Sequence, residues 1–163
     1  CQEHNSSLAN NIMRSIPEKY IGINSGVSAE VIRAIQIMND VLCSYSLPEN
    51  VITYRFTHKE DIKKLCHAKR LHVGMTFADS AFFSTTLVKS LLENFGKENH
   101  GDCVLKLYLP KGTPGAYVSF NDNRSCLNEQ EFLIPPHMRF QITKIHHFTF
   151  PLLIECVMVI DKD

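Results

Sequence analysis

The hydrophobic period of this chain changes along its length, and that change limits the folds open to it. Val31, Ile35, Met38 and Leu42 recur at spacings of four, three and four, which puts them on one face of a helix. Ser28 can cap that helix, and Ser46-Leu47-Pro48 ends it just after Tyr45. From Cys103 the period is two: Cys103, Leu105, Leu107 and Leu109 alternate with Val104, Lys106 and Tyr108. Helical text first and strand text later predicts an α+β fold, not alternating α/β. An earlier helix is expected over Ser7 to Ile16, stopping before Pro17. Asn50 to Phe56 reads as a strand, and Thr57-His58-Lys59-Glu60 fits a capping box that opens a short helix to about His67. Ala81 to Thr86 reads as a buried strand, and Leu87 to Phe95 as a helical turn closed by Gly96. Pro110 to Gly115 is a turn cluster. Ala116 to Ser119, Glu131 to Ile134, Arg139 to Ile145 and Leu152 to Ile160 are further strand candidates, while Phe120 to Asn128 is polar and loop-like.

Composition sets outer bounds. A length of 163 residues fits one domain over 1–163, with 1–19 as an N-terminal helical extension. Seventeen basic residues balance seventeen acidic ones, so no nucleic-acid partner is expected, because such binders need a basic face. No apolar run reaches the roughly 20 residues that span a bilayer, and no membrane partner is expected. The opening Cys1-Gln2-Glu3-His4-Asn5 does not look like a signal peptide, and the missing initiator Met suggests an excised domain or a processed chain. None of the six cysteines forms C-x-x-C. Cys43, Cys103 and Cys156 fall in apolar periodic stretches and are expected as small buried hydrophobes. Their scatter suggests a reducing compartment, while the even count leaves disulfides open. His146 and His147 are adjacent on a strand end and face opposite ways, so no metal is expected there. His58, His67 and His72 are expected at the surface.

Three polar elements stand out against this background. Arg55 is a charge planted in the apolar strand Val51-Ile52-Thr53-Tyr54-Arg55-Phe56. It is either an edge residue facing solvent or a guanidinium fork for phosphate oxygens. Ser84-Thr85-Thr86 follows Ala81-Phe82-Phe83; the hydroxyls reflect plain strand propensity, or Ser84 fixes the rotamer of a carboxylate. Glu129-Gln130-Glu131 opens the apolar run Phe132-Leu133-Ile134. A period of two puts both carboxylates on one face, where like charges cost stability unless function or counter-charge compensates. A solvated strand end is the simpler alternative.

Taken in order, these elements resemble the arginine–serine–glutamate class of mono-ADP-ribosyltransferases, in its bacterial toxin branch of actin-modifying and Rho-modifying exoenzymes. Gly74 to Leu87 is similar to the family's approach to its serine motif, Val104 to Val118 to its strand–turn–strand, and Glu131-Phe132-Leu133-Ile134-Pro135-Pro136 to the text that follows its catalytic glutamate. The resemblance runs from about Tyr20 to the C-terminus. It implies N-terminal helices packed on two small, mainly antiparallel sheets around an NAD cleft. It implies NAD as co-substrate, with Arg55 on the NAD phosphates and Ser84 orienting Glu131. Glu131 would bind the nicotinamide-ribose and stabilise an oxocarbenium-like state. Glu129 would prepare the acceptor, an arginine when that position is glutamate. Phe56 stands where a glycine commonly follows the arginine, and its backbone would meet the nicotinamide amide. Phe95 is a candidate stacking partner for the cofactor, or else a packed helix aromatic. Residues 120–130 would form the recognition loop for a target protein. Val27-Ser28 replace the usual Leu-Arg after Tyr20-Ile21-Gly22-Ile23-Asn24. The resemblance further implies a monomeric secreted effector or toxin that acts in the cytosol of a target cell. An NAD glycohydrolase, a non-catalytic NAD-binding module and a nucleic-acid-modifying enzyme are the competing readings.

Overall fold

The computed structural model describes residues 10, 13, 14, 29–89, 101–118 and 130–160. Asn10, Met13 and Arg14 are helical, inside the span expected from Ser7 to Ile16. Among the described residues, helices α1 (Ala29–Ser44) and α2 (Lys59–Leu65) accompany eight strands: β1 (Val51–Thr57), β2 (Thr76–Ala78), β3 (Phe83–Thr86), β4 (Cys103–Leu109), β5 (Ala116–Val118), β6 (Glu131–Ile134), β7 (Arg139–His146) and β8 (Leu152–Met158). The strands run β2-β7-β8-β4-β1-β3-β6-β5, and every pairing is antiparallel except β4 with β8. The α+β expectation holds. The two small sheets are joined into one ladder, but barely: β1 meets β3 at the single pair Tyr54↔Thr86. By contrast, β1 and β4 pair along their whole length, from Val51↔Leu109 to Thr57↔Cys103. Among the described residues the ladder therefore has a five-stranded part and a three-stranded part, β3-β6-β5.

Alternation explains how the parts stack. Cys103, Leu105, Leu107 and Leu109 on β4 enter the main core with Ile154, Cys156 and Met158 of β8 and Ile142 of β7. Phe83, Phe132 and Ile134 reach the same core from the three-stranded part, and Ile62 from α2. The opposite side of the three-stranded part, through Leu133 and Ala116, meets α1. There the expected stripe is the one that packs: Ile35 and Leu42 are buried, with Val31 and Met38 alongside, against Met13, Ala81 and Phe82. Burying side chains of this size is worth roughly 1.5–3 kcal/mol each. Gly115 lets β5 close on β6. Its φ is +146°, and a Cβ there would lie 2.7 Å from the Leu133 carbonyl oxygen and from the Phe132 ring.

Several expectations are corrected. The expected capping box does not form: Thr57 ends β1, His58 takes the N-cap position, and no side-chain cap bond is made. Instead the Lys59 amide donates to Asp102 Oδ1 at 2.7 Å, so a distant carboxylate caps α2. The strand expected from Ala81 begins at Phe83, because the Ala81 amide is held by Asp79. β2 was not expected; three residues are too short to show a period. Cys43 is exposed, not buried, because it sits about 100° round the helix from Leu42. Cys103 and Cys156 are buried as expected. Leu87 to Lys89 are not helical; the rest of that expected turn, the loop 120–128, Cys1 and Cys126 lie outside the described residues.

Candidate active site

Arg55 is not an edge residue. β1 lies between β4 and β3, so the guanidinium rises from an interior strand next to the thin junction of the two parts. Arg55 Nη1 donates to the Ser84 carbonyl at 2.8 Å. Its guanidinium carbon stands 4.4 Å from the centre of the Phe83 ring, a cation–π contact. Burial pulls the Arg55 pKa below its ordinary value, and Arg14 pushes the same way, while Asp79, Asp61 and Glu131 oppose them. An arginine remains charged under such a pull. The result is a partly desolvated cation whose Nη1 is anchored on the backbone of β3.

Ser84 and Glu131 meet as the sequence suggested. Ser84 Oγ donates to Glu131 Oε1 at 2.5 Å across β3 and β6. The register pairs Thr86 with Glu131 and Ser84 with Leu133, so Ser84 and Glu131 are diagonal neighbours on one face of the ladder. Thr85 points to the other face, where its hydroxyl donates to the Phe132 carbonyl at 2.8 Å and pins β3 to β6. The Leu87 amide donates to the Gln130 carbonyl at 3.1 Å, closing the ladder at the end that carries Glu131.

Strand geometry does not reach back to Glu129. β6 begins at Glu131, and Gln130 has a φ of +31°, so period-two alternation stops at the first strand residue. Glu129 itself and Phe95 lie outside the described residues. Phe56 is half-buried on the face of β1 opposite Arg55, with its backbone paired to Val104.

Sequence reasoning missed Asp79 and Arg14. Asp79 is 5% exposed. Its two oxygens accept from Arg14 Nε at 3.0 Å and Nη2 at 2.6 Å, a bidentate pair, and Oδ1 also accepts from the Ala81 amide at 3.0 Å. Its own carbonyl accepts from the His137 amide at 2.7 Å. Asp79 thus ties the N-terminal helical segment to the turns before β3 and after β6, the two strands that carry Ser84 and Glu131.

A carboxylate fixed by a serine beside a partly desolvated guanidinium can hold an anion on the guanidinium and stabilise positive charge near the carboxylate. Comparison with known proteins agrees. The ADP-ribosyltransferase exoenzyme family matches residues 3–154, and the chain belongs to that family, whose reaction is ADP-ribosyl transfer from NAD. The NAD(+)--arginine ADP-ribosyltransferase EFV of Enterococcus faecalis is 29% identical over 136 residues, covering 82% of this chain and 25% of that protein. The chain therefore spans about a quarter of that relative's length. Among solved structures, the Clostridium limosum C3 exoenzyme superposes with a TM-score of 0.70 at 14% identity, covering 96% of this chain and 80% of that one. BECa, the ADP-ribosylating toxin of a binary enterotoxin of C. perfringens, superposes at 0.59 and 24% identity, covering 95% and 43%. At such identities the likeness is one of fold. Among the described residues, no helix is long and apolar enough to cross a membrane.

Proposed function

We propose that the chain is a protein-arginine mono-ADP-ribosyltransferase. The observation that carries this reading is the Ser84–Glu131 hydrogen bond of 2.5 Å beside an Arg55 that donates to Ser84 itself. Three residues spread over more than seventy positions converge on one point of the ladder. In this reading Arg55 grips the NAD pyrophosphate. Ser84 fixes Glu131, whose carboxylate binds the nicotinamide-ribose hydroxyl and stabilises the cation as the C1′–N bond breaks. The bonding pair leaves with nicotinamide. A guanidinium nitrogen of the acceptor then bonds to C1′ and gives its proton to Glu129. Arginine is favoured because a carboxylate can pair with its guanidinium through two parallel hydrogen bonds. With a pKa above about 12, that guanidinium needs a base before it becomes a nucleophile. The name of the Enterococcus relative supports the same acceptor. Phe56 and Phe95 are assigned to the nicotinamide side, and 120–130 to the acceptor protein. We further propose that the domain works as a monomer, in toxin fashion, in the cytosol of a target cell.

One variant pair tests the division of labour. Glu131→Gln should lose nicotinamide release and transfer together, by about 10²–10³-fold, the usual effect of removing one electrostatic stabiliser. Glu129→Gln should lose transfer to agmatine, a small arginine mimic, while nicotinamide release continues. Equal loss of both products in Glu129→Gln would move that residue into NAD cleavage. Full transfer would end the arginine reading of this position. A wild-type protein that releases nicotinamide and labels nothing would be a glycohydrolase.

A further inference from the structure

Among the described residues the sheet ends on two strands, β2 and β5. β2 is six strands from β6, but β5 pairs directly with it: Val118 stands opposite Glu131, Tyr117 opposite Phe132 and Ala116 opposite Leu133. Successive residues of a strand turn their amide and carbonyl to opposite sides, so the pairing tells which groups of β5 face outward. The Leu87 amide donates to the Gln130 carbonyl. That turns the groups of Gln130 and Phe132 toward β3, and those of Glu131 and Leu133 toward β5. Ala116 and Val118 therefore exchange hydrogen bonds with β6, and the amide and carbonyl of Tyr117 face away from it. Gly115, two residues earlier, agrees: its amide donates outward to the Tyr45 carbonyl at 3.2 Å. Residues 45–47 cover the edge that far, antiparallel through the bridge Ser46↔Pro114. Beyond Gly115 no described backbone pairs with it. The Tyr117 ring, on the face opposite to Val118 and Glu131, is 52% exposed.

We infer that this edge takes an extended segment of the acceptor protein as a further strand, antiparallel to β5, with the target arginine opposite Val118. This rests on the arginine reading of the acceptor. Outward N–H and C=O groups at an edge are complementary to peptide backbone. Glu131, where the acceptor reacts, is the direct neighbour of Val118. The added segment would lie two strand spacings from β6, about 10 Å. Opposite residues share a face, so the arginine leans over Val118 toward Glu131, and the two long side chains together cover that gap. The residue after the arginine meets Tyr117, exchanges two main-chain hydrogen bonds with it, and lays its side chain on the Tyr117 ring. The preferred target is therefore an arginine followed by a β-branched or aromatic residue. A second copy of this chain fits less well, because two three-residue edges make a two-stranded contact that is marginal in water.

The probes are agmatine and a blocked nine-residue peptide whose central arginine is followed by valine and flanked by threonines. The kcat/KM for the peptide should exceed that for agmatine by about tenfold, the order that two main-chain hydrogen bonds supply. Methylating the valine amide, which faces Tyr117, should remove that gain, while methylating the arginine amide, which faces away, should leave most of it. Tyr117→Pro removes the outward N–H and keeps the inward ladder. It should bring the peptide down to the level of agmatine, with nicotinamide release within twofold of the parent. Tyr117→Ala should keep most of the preference. A peptide no better than agmatine overturns the proposal, and so do equal effects of the two methylations. If Tyr117→Pro also loses nicotinamide release, the two methylated peptides on the parent enzyme decide. A parent that is dimeric in solution and becomes monomeric in Tyr117→Pro overturns the proposal in favour of a second copy. If the parent releases nicotinamide but modifies neither agmatine nor peptide, the arginine reading fails. Labelling of lysate protein with biotinylated NAD then tests the edge alone: Tyr117→Pro should lower it at least tenfold, and unchanged labelling overturns the docking.

Discussion

Asp79 shows what one buried carboxylate can hold in place. Its oxygens take three donors, two of them from Arg14, and it is the foremost anion opposing the desolvation of Arg55. Asp79→Asn keeps the shape and removes the charge. The expected result is a loss of about 2 kcal/mol, in the range for hydrogen bonds to charged groups, seen as a lower melting temperature. The NAD Michaelis constant should also rise, because Arg14 and Arg55 are left closer to mutual repulsion. A variant with parent-like melting and NAD saturation would remove Asp79 from this account. Arg55 stood out as a charge in an apolar strand, whereas Ser84 and Glu131 were legible through their order after it, which resembles a family pattern. Asp79 was not, because it sits in a turn where aspartate is ordinary. The available signal was its place two residues before Ala81 at the head of an apolar run, the spacing of an Asx turn.

At the scale of elements, β4, β7 and β8 share a polar cluster on the face away from the core. Glu155 accepts from the Tyr108 hydroxyl at 2.6 Å, stands 2.7 Å from His146 Nε2, and lies 3.5 Å from Lys106 Nζ. The Tyr108 bond above all, then the His146 bond, hold the Glu155 carboxyl down to about 2. A depressed carboxyl stabilises the fold above its unfolded value, near 4.3, and that contribution fades as pH falls toward about 2. Thermal melts of the parent against Glu155→Gln should therefore differ most above pH 5 and converge between about pH 4 and pH 2. A constant gap over that range would show that the cluster does not titrate as described. The alternation of β4 and the stripe of α1 were readable, since each repeats over several turns or pairs. The cap of α2 was not, because its partner Asp102 is over forty residues away, and local text offered Thr57 instead.

Over the whole molecule, the central strands β4 and β8 carry Cys103 and Cys156, whose thiols burial pushes up to about 12. Thiolate, the reactive form, is then scarce at neutral pH. Brief alkylation with iodoacetamide should mark exposed Cys43 and spare Cys103 and Cys156 until denaturant unfolds the sheet, when both should react together. Early marking of either would mean that β4 and β8 open separately. Fold class could be read from the order of periods, but strand order could not. Nothing local in Leu152 to Met158 says that it runs parallel to β4, because that pairing rests on contacts about fifty residues apart. The junction at Tyr54↔Thr86 has a mechanical meaning as well. A ladder reduced to one rung resists bending poorly, so the angle of this crease is held by side chains more than by backbone. Arg55 is its strut, through the Ser84 carbonyl. The residue that would grip a dinucleotide is thus also the brace between the two walls, and any anion that draws the guanidinium away loads the crease directly.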